Sequence, residues 1–134
     1  MKAATYLGND RGETSIQSVL LVPVVLSILF LTINAAALAH AGQVASLAAN
    51  RGAQLSASGS GDSPSMAVVR NEIAHMVDDL GSTLHSIPQF STYDGNVEVT
   101  VRVHVAGVVP FLPQFVTRRA SAPIERFINE QDRR

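Results

Sequence analysis

The chain has 134 residues, a net charge of −1 and no cysteine. That length holds one membrane segment and at most one small domain. The charge balance gives no electrostatic case for nucleic acid, and without thiols there is no disulfide framework, thiolate metal site or cysteine nucleophile.

Residues 1–12 form a short polar leader, with Lys2 and Arg11 as its cations. From Thr14 to Asn50 there is no Asp, Glu, Lys or Arg. The apolar heart, Ile16 to Ala41, would extend about 39 Å as a helix, against a hydrocarbon thickness of about 30 Å. A single helical span fits, because in lipid every backbone group of an isolated segment must be paired within it. The cations before the span, with Arg51 the first after it, orient the N-terminus towards the cytoplasm and the remainder away from it. A second reading of the same run is a secretory signal cleaved after Ala41, since Ala39-His40-Ala41 has a small-x-small form. The run is long for such a signal, which favours the anchor.

The helix is expected to outlast the membrane. Val44, Leu47, Ala48 and Leu55 recur at i, i+3, i+4 and i+11, so one helix is predicted over residues 13–57, with residues 16–41 its transmembrane part. Residues 58–63 are a Gly/Ser linker. Their Gly59-Ser60-Gly61 lacks the Gly-x-Ser-x-Gly spacing of a nucleophile elbow.

Residues 64–122 read as a small extracytoplasmic αβ domain. A second helix starts at Pro64 behind the capping residues Asp62 or Ser63 and carries an apolar stripe of Val69, Ile73, Met76, Val77, Leu80 and Leu84, ending near Gly81 or shortly after. Packing against the chain's own sheet explains the stripe better than membrane-surface binding, because the polar face is not rich in Lys and Arg. Strict alternation of Val97, Val99, Val101, Val103 and Val105 with polar residues marks a strand, led in by the turn residues Asp94-Gly95-Asn96. Phe115 to Ala122 is expected to return as its antiparallel partner. Residues 123–134 form a C-terminal tail. The fold class is therefore α+β: a long N-terminal helix, a second amphipathic helix and a small antiparallel hairpin or sheet.

No constellation points to catalysis, so the chain reads as not an enzyme, with no cofactor or metal. His40, His75, His85 and His104 have no metal-ligand spacing. His75 can meet Glu72 and Asp79 on one helix, an arrangement that an exposed polar face explains. Arg118-Arg119 lacks the aromatic interleaving used to bind single-stranded nucleic acid.

One block does stand out: Arg11-Gly12-Glu13-Thr14-Ser15-Ile16-Gln17-Ser18-Val19-Leu20-Leu21-Val22-Pro23. It resembles the N-terminal signature of TadE-like minor pilins, subunits of the tight-adherence (Tad/Flp) branch of bacterial type IV pilus machinery. Ala48-Ala49-Asn50-Arg51-Gly52-Ala53-Gln54 looks like that family's Ala-Ala-x-x-Gly-Ala-Arg segment, and Ala120 to Arg126 is similar to actinobacterial relatives. The resemblance implies a pilin-like fold and a structural or assembly role in a pilus or secretion system. It also implies processing by a prepilin peptidase between Gly12 and Glu13. The implied partners are the lipid bilayer, other pilins and the assembly platform, with Gln17, Pro23, Ala35, Ala36 and Ala39 as helix–helix assembly residues. The implied location is a single-pass plasma membrane protein that reaches the cell surface after processing.

Gln17 departs from the pattern, because the family has Glu there. A carboxylate can form an ion pair with a neighbour's freed amine, whereas Gln can only hydrogen-bond. A literal Gly-x-x-x-x-Glu, Gly8 to Glu13, lies upstream, but cleavage there would leave Asp10 and Arg11 in the start of the mature helix. The other function class open to this sequence is a membrane-anchored binding module unrelated to pili.

Overall fold

The computed structural model describes residues 11–59 and 63–124, with side-chain surroundings given from Gln17 onward in the first segment and from Ser65 in the second. The N-terminal leader before Arg11 and the tail beyond Ile124 lie outside the described residues.

The first element, α1 (Arg11–Ser58), is one uninterrupted helix of 48 residues, about 72 Å long at about 1.5 Å per residue. It begins two positions earlier than the apolar pattern implies and ends within a residue of the expected stop. Pro23 lies inside it and lacks the amide that would reach the carbonyl of Val19. The hydroxyl of Ser27 donates to the Pro23 carbonyl at 2.7 Å, and that of Thr32 donates to Ile28 at 2.8 Å. These two hydroxyls thus bond back onto their own helix.

The second helix, α2 (Ser63–Asp79), starts where Pro64 suits the first turn, its missing amide costing no bond there. The ends of the two helices are tied together: the Ser65 hydroxyl donates to the Gly59 carbonyl at 3.2 Å. After Asp79 the chain turns through Gly81, whose φ is +69°, and the amide of Ser82 bonds back to Val77. Leu84 is therefore not part of the α2 stripe. It forms an isolated antiparallel bridge with Val103, flanked by bonds from His85 to the Arg102 carbonyl and from His104 to the Thr83 carbonyl.

Three strands complete the domain: β1 (Gln89–Tyr93), β2 (Asn96–His104) and β3 (Phe115–Pro123). They form one antiparallel sheet in the order β1-β2-β3. The first strand is an addition to the expected hairpin. Tyr93 faces Asn96 across a two-residue turn, Asp94-Gly95, in which both residues have positive φ. This is the turn geometry that matches strand twist. The same Asp-Gly pair was the available signal for β1, weakened by the polar content of Gln-Phe-Ser-Thr-Tyr.

The central strand is the spine of the core. Val97, Val99, Val101 and Val103 are fully buried and Val105 nearly so. They face the C-terminal half of α1, whose buried positions Ala41, Ala45, Ala48, Ala49, Ala53 and Ala57 run down one stripe with Val44. Ile73, Val69 and Val77 of α2 enter the same core. Small residues on α1 let the sheet approach closely, and each fully buried valine contributes about 1.5–3 kcal/mol relative to exposure. The Ala48 to Gln54 segment has this packing role: Ala48, Ala49, Gly52 and Ala53 are all buried. At Gly52 a Cβ would stand 2.6 Å from Ile73 Cδ1 and 3.2 Å from Val99 Cγ1, so glycine allows α1, α2 and β2 to meet.

Candidate functional site: an uncovered helix face and its border

The two halves of α1 have opposite fates. Every residue from Gln17 to Ile33 is exposed on all sides, while from Ala41 onward one face is sealed by the sheet and α2. In the most apolar 18-residue window of the helix only 6% is buried within the chain. The helix is thus long and apolar enough to cross a membrane, and among the described residues nothing covers its length from Gln17 to Ile33.

The residues singled out for helix–helix assembly fall on this uncovered length. Gln17 and Pro23 are exposed in its first half, and Ala35, Ala36 and Ala39 are exposed farther along. Ala35 and Ala39 line an open groove with Leu38, Gly42, Gln43, Ser46 and Leu47, bounded by Arg118. Gly12 and Glu13 lie in the first turn of α1, and their side-chain surroundings are outside the described residues.

The border between the two halves is built around Asn34, 5% exposed in the midst of the apolar run. Its Oδ1 accepts a bond of 3.0 Å from the amide of Val108. Next to it, a Cβ on Gly107 would come within 2.9 Å of that same oxygen. The loop between β2 and β3 therefore descends alongside α1. Leu112, Pro113 and Val105 enclose an apolar cleft with Leu31, Asn34, Ala35 and Leu38. The α2–β1 connection docks just above, where His40 Nε2 lies 3.2 Å from the Leu80 carbonyl oxygen.

Alternation on β3 separates the two arginines. Arg118 pairs in register with Val101 and Arg119 with Thr100, so Arg118 lies on the helix side. Its guanidinium is 3.3 Å from where a Cβ on Gly42 would stand, and it donates to the Thr117 carbonyl at 3.2 Å. On the opposite face the sheet gathers groups that are distant in sequence. The His85 ring stacks on Phe115 at 4.5 Å between centroids, His104 lies 6.5 Å from His85, and Arg102 covers Phe115 at 5.9 Å. Sequence spacing offered no signal for this cluster, because it depends on the register of Leu84 and β3 against β2. Among the described residues no group of three or more His, Asp or Glu could hold a metal ion.

No protein-family model, curated protein or solved structure matches the chain.

Proposed function

We propose that this protein is a structural subunit of the minor-pilin type, held in a membrane by the first half of α1 and delivered into a filament or assembly platform through the same surface. The observation that carries the reading is the continuity of α1. One helix presents a fully uncovered apolar length from Gln17 to Ile33 and then, without a break, the packed face of a small αβ domain. In lipid the uncovered length is satisfied by acyl chains. In a fibre it is satisfied by neighbouring helices, with Ala35, Ala36 and Ala39 permitting close approach. The block from Arg11 to Pro23, which resembles the TadE-like signature, stands at the start of this helix. No catalytic step belongs to this role.

Secretion by cleavage after Ala41 fits the fold poorly. It would remove Asn34, the acceptor for Val108, together with Ala41, which is 2% exposed within the core. An anchor that is never processed remains the competing role, and the N-terminus decides between them. Mass spectrometry of the protein isolated from native membranes is expected to find Glu13 as the first residue. A mature start at Gly42 would indicate secretion, and an intact leader would indicate a plain anchor. Co-expression with a prepilin peptidase that leaves both Gly12-Glu13 and Gly8-Asn9 uncut would overturn the processed-subunit reading.

A further inference from the structure

We infer that the loop between β2 and β3 is a second membrane contact, dipping its tip Val108-Val109-Pro110-Phe111-Leu112 into the interface of the leaflet on the domain's side. The inference rests on the reading that α1 crosses a bilayer, and it concerns a different part of the chain.

Depth is the first argument. A hydrocarbon slab needs about 20 residues of helix, so one that begins where charge stops, at Thr14, closes near Ile33, short of the Ala41 end of the apolar run, because from Asn34 onward the domain packs on α1. The loop is tied to α1 at the next residue, through Asn34 and Val108, and packs along Leu31, Ala35 and Leu38. It therefore lies at the level where hydrocarbon gives way to headgroups.

Composition is the second. From Val105 to Thr117 there is no charged residue. Phe111 is 95% exposed, and Val108, Leu112 and Phe115 are also exposed. In water these side chains gain nothing at the tip of a loop, whereas an interface rewards aromatic and aliphatic groups at this depth.

Backbone chemistry is the third. Irregular chain is costly near hydrocarbon unless its polar groups are paired. Here the amides of Val105, Gly107 and Leu112 bond to carbonyls of the same loop region, and that of Val108 bonds to Asn34. Those of Val109 and Phe111 have no partner among the described residues, which keeps the tip in the hydrated interface and out of hydrocarbon. Pro110 and Pro113 have no amide to satisfy. Farther along the axis, Arg118 beside Gly42 is about 12 Å beyond Asn34 at about 1.5 Å per residue, on the headgroup side.

The chain has no tryptophan, so single-tryptophan variants of the full-length protein report one position each. Phe111→Trp, Ile28→Trp in the span and Tyr93→Trp at the opposite end of β2 would be reconstituted separately. The vesicles are phosphatidylcholine and phosphatidylglycerol, with and without brominated acyl chains. Phe111→Trp is expected to emit to the blue of Tyr93→Trp, to be quenched by brominated lipid and to be shielded from aqueous iodide. Quenching of Ile28→Trp by brominated lipid while Phe111→Trp responds to iodide like Tyr93→Trp would overturn the loop contact and leave the span intact. Shielding of Phe111→Trp from both quenchers would mean that a second copy of the chain covers the loop, which also overturns it. Failure of brominated lipid to quench Ile28→Trp would remove the span and the loop contact together.

Discussion

The side-chain oxygen of Asn34 accepts a 3.0 Å hydrogen bond from the backbone amide of Val108, joining positions 74 residues apart. The bond sets where the domain grips α1, and it satisfies a polar group inside an apolar run that would otherwise be costly to desolvate. It also draws Gly107 so close that a methyl group there would clash with the same oxygen.

Replacing Asn34 with Leu leaves the Val108 amide unpaired in a half-buried site. The expected cost is about 1–3 kcal/mol, read as a lower denaturation midpoint of the full-length protein in detergent, with faster hydrogen exchange at Val108. Gly107→Ala is expected to destabilise as well, and by less when combined with Asn34→Ala, which removes the oxygen it strikes. Simple additivity of the two changes would refute a direct contact.

Two glycines on the same helix should respond in opposite directions to alanine. At Gly52 the new methyl meets Ile73 and the stiff, fully buried Val99. Overpacking of about 1–3 kcal/mol therefore opposes a gain in helix propensity of about 1 kcal/mol. At Gly42 its tight neighbour is the end of the exposed Arg118 side chain, which can move aside, while Val116 Cγ1 at 4.0 Å is ordinary van der Waals contact. Urea titrations should show Gly42→Ala at or above the parent's stability and Gly52→Ala below it.

Ile73→Val deletes the atom nearest the Gly52 methyl position. The single change is expected to cost about 0.5–1.5 kcal/mol. In its presence Gly52→Ala should become cheaper, by a coupling of at least about 0.5 kcal/mol. A double-mutant cycle measures this, and zero coupling would contradict the close approach of α1 and α2.

Ser56 is 1% exposed, and its hydroxyl has no hydrogen-bond partner among the described residues. Ser56→Ala removes an unpaired buried polar group at nearly constant shape and improves helix propensity. A stabilisation of about 0.5–1 kcal/mol is expected in thermal denaturation. A loss of stability would show that the hydroxyl has a partner.

Much of this architecture is local and therefore legible in the sequence. The uncharged run, the α2 stripe around Ile73 and the five alternating valines each express a period that neighbouring residues create together. Such patterns identify the long apolar helix, the second helix and the central strand without any knowledge of what they touch. Their limits appear at the edges: Leu84 continues the α2 stripe in spacing, yet Gly81 turns the chain and delivers Leu84 to Val103. The first strand, with its polar Gln-Phe-Ser-Thr-Tyr, becomes a strand because an Asp-Gly turn folds it onto β2.

Composition and periodicity alone thus determined that a long apolar helix leads into a small αβ unit, because hydrophobic patterning acts over a few residues. Only the tertiary structure decided which parts of that helix stay uncovered. It also placed Arg118 on the helix side and Arg119 on the other, brought His85 and His104 to Phe115, and set Asn34 under Val108. Those relationships depend on strand register and on the close approach of surfaces far apart in the chain, and no local period encodes either of them.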